Sequence, residues 1–122
     1  MVSKVVNVGI ASHGELKERA LAIARGDRRR GRREPHIWFT SIESFAKVLS
    51  EPNRALLRII DERQPQSLKE LEDLTGRKVS NLSRTLKTMS RYGLVSLETG
   101  HRGTVRPKVL VREVRVDLEL VG

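Results

Sequence analysis

Arg77, Ser80, Asn81, Arg84, Lys87, Thr88 and Arg91 recur within residues 75–95 at spacings that place them on one side of an α-helix, taking about 100° per residue. Four of the seven are cations, and no carboxylate falls between Asp73 and Glu98. Surface helices usually mix Lys with Glu, so a run without acids points to an anionic partner. Arg and Asn can pair bidentately with base edges in a DNA major groove, while Lys and Ser can hold phosphates. Lys78, just ahead of the first apolar position, joins these candidate contacts. On the opposite side Val79, Leu82, Leu86 and Met89 are spaced three, four and three apart, which makes one narrow apolar stripe. The alternative is an ordinary amphipathic surface helix, and the missing acids argue against it.

Such a helix must be held by its neighbours. Upstream, SLKELEDLTG (67–76) carries a capping-box pair, Ser67 with Glu70, and so predicts a helix start. Leu68, Leu71 and Leu74 are its expected buried face, and Thr75-Gly76 its end. Two short helices joined by a tight turn, the second basic, form the helix-turn-helix pattern. Downstream, Gly93 closes the basic helix. Val95 and Leu97 alternate with Ser96 and Glu98 as a strand would, 99–103 reads as a turn, and Val105, Val109 and Val111 continue beyond it. This hairpin is the expected wing. His101 and Arg102 at its tip, with Arg106 on its return strand, are candidate DNA contacts.

The run LSRTLKTMSRYGLV resembles the winged helix-turn-helix core of MarR- and ArsR-type regulators. In these a Ser-Arg-x-Leu, a further Leu and a terminal Gly-Leu-Val occur at the same spacing. It also resembles a group of small transcriptional regulators, some serving as antitoxins, in which a Trp-Phe strand, here IWF (37–39), precedes the helix-turn-helix. The resemblance covers about residues 35–120. It implies an α+β fold: a winged helix-turn-helix domain at 35–122, carrying an N-terminal strand-helix extension with an Arg-rich linker (1–34) and a C-terminal strand. One departure stands out. Where the ArsR-type helix usually opens on a Ser cap, this chain has Lys78, so either the first turn lacks a side-chain cap or the helix begins earlier.

The whole chain is consistent with such a partner. Its net charge is +9, from 24 Lys+Arg against 15 Asp+Glu, an excess that suits a polyanion. At 122 residues it fits one domain with a modest core, and with 3% aromatics that core must be Leu, Val and Ile. No segment approaches a membrane span, and residues 1–11 lack the apolar core of a signal peptide. There is no cysteine, which is compatible with a reducing cytoplasm, the expected location.

Taken in order, residues 4–11 read as a strand with Val6, Val8 and Ile10 on one face. Ser12 with Glu15 caps a helix from about 13 to 25, whose stripe is Leu16, Ala20, Ile23 and Ala24, with Leu21 at its edge. Arg28, Arg29, Arg30, Arg32 and Arg33 follow as a run with nothing apolar to pack. They are either phosphate contacts or a solvated linker. Trp38 and Phe39, scarce and large, are expected as core rather than as a ligand pocket. Thr40 with Glu43 should cap a helix with the stripe Ile42, Phe45, Ala46 and Leu49. Pro52 then opens a helix that buries Ala55, Leu56, Ile59 and Ile60. Residues 112–121 alternate again, but with even apolar parity where the wing strand is odd through Val111, so a bulge or bend is expected near Arg112. The two terminal strands are expected to pair, either across a homodimer or within one chain.

Nothing suggests catalysis. His13, His36 and His101 are far apart, with no partner at metal-ligand spacing. Nucleophile triads and phosphate-binding glycine loops are absent from the sequence. Asp61-Glu62 and Glu72-Asp73 read as solubility residues. The expectation is a non-enzyme without cofactor or metal: a cytoplasmic DNA-binding transcriptional regulator, acting as a repressor and as a homodimer on duplex DNA, with no membrane contact. The competing reading is an antitoxin that binds a toxin protein and represses its own operon. A third, RNA binding through the arginine run, is weakened by the lack of exposed aromatics for base stacking.

Overall fold

The computed structural model describes residues 4–26 and 35–121. Its elements are β1 (Val5–Ile10), α1 (His13–Ala24), β2 (Ile37–Phe39), α2 (Ile42–Val48), α3 (Glu51–Arg63), α4 (Leu68–Thr75), α5 (Val79–Arg91), β3 (Val95–Thr99), β4 (Val105–Val109) and β5 (Glu113–Asp117). The fold is α+β. It forms two compact units, which cross the boundary expected after residue 34. One gathers residues within 5–47 and 113–122; the other holds 48–112 with Lys4. The Arg28–Arg33 run lies outside the described residues. No helix among the described residues is long and apolar enough to cross a membrane.

The first unit is a parallel sheet in the order β2-β1-β5. The alternation of 4–11 and 112–121 marks two strands, and they pair with each other inside one chain, Val6 beside Val114 and Val8 beside Val116. That register sets Val6, Val8, Ile37 and Val116 on one face, and Val6, Val8, Ile37 and Phe39 are buried. Phe45 of α2 meets Phe39 edge to face, with ring centroids 5.3 Å apart. On the other face Trp38 lies beside Gly9, where a Cβ would come within 2.4 Å of its ring; Gly9 is therefore required for Trp38 to lie flat on the strand. The Arg19 guanidinium sits 5.2 Å from the Trp38 centroid, a cation–π contact.

Three local expectations need correction. Helix α1 has the full Ser12–Glu15 capping box, but its expected stripe is not buried. Leu16 and Ile23 are half-buried, whereas Ala20, Leu21 and Ala24 are exposed. Helix α2 is capped by Ser41, whose Oγ accepts the Ser44 N–H, rather than by Thr40, and Ile42 is exposed. The strand at the C-terminus stops at Asp117, although the alternation runs on to residue 121.

The second unit packs α3, α4 and α5 ahead of the antiparallel pair β3-β4. Ser50 caps α3 with Pro52 in its first turn, and Leu56 and Ile60 are its buried side chains, with Ala55 and Ile59 half-buried. Leu71 of α4 is fully buried, but Leu74, expected beside it, is 38% exposed. Leu82, Leu86 and Met89 of α5 are fully buried, and Val79 is half-buried, as the stripe predicts. Leu94 and Val95 close the core beneath β3. A bend falls at Arg112, where the parity switch requires one.

Candidate nucleic-acid interface

The turn between α4 and α5 fixes the pitch of the basic helix. Gly76 ends α4 with φ +77°, a left-handed conformation that other residues adopt only with strain. Thr75 Oγ1 accepts the Arg77 N–H at 3.1 Å and donates to the Leu71 carbonyl at 2.8 Å, so the turn is tied to the last turn of α4. Helix α5 then begins at Val79 with Lys78 as its N-cap residue and no cap from the Lys78 side chain.

The missing cap is supplied from the preceding helix. Glu72 Oε2 accepts the Val79 N–H at 3.2 Å, placing a carboxylate at the positive end of α5. Lys69 Nζ donates to the other oxygen of Glu72 at 2.9 Å. The Lys69 hydrogen bond first, and the Val79 N–H second, hold the Glu72 carboxyl below its ordinary value. Glu72 is thus a positioning residue for α5, not the plain solubility residue expected. The sequence offers little to find it by, because the bond spans seven residues and two helices.

A carboxyl lowered on folding adds stability above its unfolded-state value, and that stability is lost as pH falls through the folded one. The melting temperature of Glu72→Gln should therefore lie below that of the unmodified chain at pH 7. The gap should close once the pH drops below the usual carboxylate range of about 4. Thermal melts across that range check this; a gap that ignores pH would show that the charge of Glu72 plays no part.

Arg77 also departs from expectation. Each nitrogen of its guanidinium donates to the protein: Nε to Asn81 Oδ1 (2.8 Å), Nη1 to Asn53 Oδ1 (3.1 Å) and Nη2 to Thr85 Oγ1 (3.1 Å). It is half-buried and joins α3 to α5 instead of standing in the outward row. Asn53 in turn reaches the Val48 carbonyl with its amide nitrogen. Thr88 is half-buried and committed too, donating to the Arg84 carbonyl and accepting from Arg91 Nη2.

The remaining residues form a continuous exposed face. Lys78, Ser80, Asn81, Arg84, Lys87 and Arg91 are all exposed, directly behind the buried Leu82, Leu86 and Met89. Arg84 and Lys87 make no ion pair with a described residue. Asn81 accepts from Arg77 on its oxygen, which orients the amide.

The hairpin presents a second cationic feature. β3 and β4 pair Val95 with Val109, Leu97 with Pro107 and Glu98 with Arg106. Pro107 has no N–H to give, which a strand with a free edge tolerates. The tip is a single tight turn, His101–Gly103, with Arg102 in the left-handed region at φ 57°. Gly100 N–H donates to the Thr104 carbonyl at 2.7 Å, and Thr104 Oγ1 donates to the His101 carbonyl at 2.8 Å. His101 and Arg102 stand exposed at this tip. Arg106 is half-exposed and bound to Glu98 Oε1 at 3.0 Å, so part of its charge is neutralised across the hairpin.

No curated protein and no solved structure matches the chain. A family model described as HVO_A0114 matches residues 48–116, from the end of α2 into β5 and more than half of the chain, and the protein belongs to that family.

Proposed function

We propose that this protein is a sequence-specific DNA-binding transcriptional regulator with a winged helix-turn-helix, acting as a repressor. In this reading α4 and α5 are the helix-turn-helix, α5 enters the major groove, and the β3-β4 hairpin is a wing on the flanking backbone. The observation that carries it is the exposed face of α5. Five exposed polar side chains, with Lys78 at the N-cap and no acid among them, stand on a helix whose other side is locked into the core. In this reading Arg84 pairs with guanine and Asn81 with adenine, while Lys87 and Arg91 hold phosphates. The net charge of +9 supplies the nonspecific attraction. A homodimer on an inverted repeat, with half-sites about 10 base pairs apart or a multiple of that, completes the proposal.

The wing supplies a direct test. Replacing Arg102 and Arg106 with Ala should weaken binding to all duplexes alike. The slope of log affinity against log salt should fall by about one for each phosphate that is no longer neutralised. Arg102 should account for most of it, because Arg106 is partly neutralised by Glu98. Salt titrations of the single variants separate the two, and an unchanged slope would remove the wing from the interface.

A further inference from the structure

We propose that Arg77 is a positioning residue for base reading: it holds the Asn81 amide with its NH2 group outward, so that Asn81 selects adenine and rejects cytosine. This rests on the DNA-binding reading above and specifies one base position of it.

The Arg77 side chain is anchored at both ends. At its root, the Arg77 N–H donates to Thr75 Oγ1. At its tip, Nη1 meets Asn53 Oδ1, Nη2 meets Thr85 Oγ1 and Nε meets Asn81 Oδ1, the last at 2.8 Å. Asn53 is fixed in turn, because its Nδ2 donates to the Val48 carbonyl at 3.0 Å and its oxygen is thereby turned to Arg77. The guanidinium thus reaches Asn81 from a frame set by α3.

That frame decides which way the Asn81 amide points. Amide oxygen and nitrogen are nearly alike in shape, but Arg offers donors and no acceptor. The Asn81 atom facing Nε must be the oxygen, since an NH2 group turned inward would set donor against donor. A freely exposed Asn can turn either way and offer a base a donor or an acceptor. Asn81 would lose a hydrogen bond to a charged group by reversing, and such bonds are among the stronger ones. Asn81 is exposed, and its Nδ2 makes no hydrogen bond with a described residue. The NH2 group is therefore what it offers outward.

The four bases respond differently to that group. In the major groove adenine presents N7 as an acceptor and its N6 amine as a donor. The Asn81 NH2 donates to N7, and the Oδ1 lone pair not taken by Arg77 accepts from N6. Guanine and thymine present acceptors but no matching donor, so they meet half of the pattern. Cytosine presents only its N4 amine, donor against donor.

Selection of bound sites from random duplexes by the full-length chain tests this, and Asn81→Ala identifies the position concerned. There the unmodified chain should favour adenine over cytosine by about tenfold or more, the usual worth of a bidentate pair. Arg77→Ala should bring that ratio near parity. It also loosens the seating of α5, which acts on every position, so the expected signature is a loss at the Asn81 position in excess of that at the Arg84 position. Circular dichroism sets a temperature at which the variant is folded. Asn81→Asp is a second variant, on an exposed residue that leaves the core intact. One carboxylate oxygen still accepts from Arg77 while the other faces out as an acceptor, so the preference should turn to cytosine. Equal losses at all positions in Arg77→Ala would leave Arg77 a structural role only and overturn the proposal. So would an Asn81→Asp chain that does not turn to cytosine, or a base other than adenine at that position in the unmodified chain. If the unmodified chain enriches a motif that Asn81→Ala leaves unchanged, Asn81 reads no base, and the proposal falls while sequence reading by α5 stands. If the unmodified chain enriches no motif, both fall.

Discussion

Leu86→Ala should destabilise the three-helix unit by about 2–5 kcal/mol, the usual cost of opening a cavity in a packed core. Leu86 is fully buried, as are Leu82 and Met89 on the same side of α5, so there is little freedom for neighbours to close the gap. The effect reaches beyond stability. The groups that would meet DNA stand on the opposite side of the same helix, and their positions depend on how α5 is seated. Denaturant titration gives the magnitude, while duplex binding under conditions where the variant stays folded gives the functional consequence. A loss well below 1 kcal/mol would mean that α5 is not seated as described.

Arg84→Ala should cost about 1–3 kcal/mol of specific binding, the range for a bidentate contact to a base. It should do so without a change in stability, because Arg84 is exposed and makes no ion pair with a described residue. The loss should concentrate at one base position of the site. Parallel titrations with specific and random duplexes distinguish the alternatives: equal losses on both would make Arg84 a phosphate contact. Arg77→Ala, by contrast, should act through stability and helix placement, since its three hydrogen bonds end within the protein.

The contrast between Arg84 and Arg77 shows what the sequence can convey. Helical period places a side chain on a face. It identifies the buried row Leu82, Leu86 and Met89 and the exposed row that includes Ser80, Arg84 and Lys87. Period does not reveal what lies beyond the end of a helix, and Arg77 sits there. Its fate is set by Asn53, far away in sequence on α3. Glu72 is a similar case: the missing Ser at Lys78 is visible, but the carboxylate that replaces it comes from another helix. The alternation at 4–11 and 112–121 marks both terminal strands, and the parity change places a bend at Arg112. Alternation names no partner, so the parallel pairing of β1 with β5 emerges only from the fold. It also overstates length. The paired strand ends at Asp117, opposite Gly9, because the chain of β1 soon turns at Ser12 into α1. Helix α1 departs from its expected stripe for a related reason. Ala20, Leu21 and Ala24 fit an apolar stripe, yet the helix turns Leu16, Arg19 and Ile23 inward instead.

The most direct measurement is selection of bound sites from a pool of random duplexes by the full-length chain. An enriched motif is expected, made of two inverted half-sites about 10 base pairs apart or a multiple of that. Repeating the selection with Arg84→Ala should blur one base position in each half-site and leave the others sharp. A pool that is retained yet stays random would show charge-driven binding alone and would contradict sequence reading by α5.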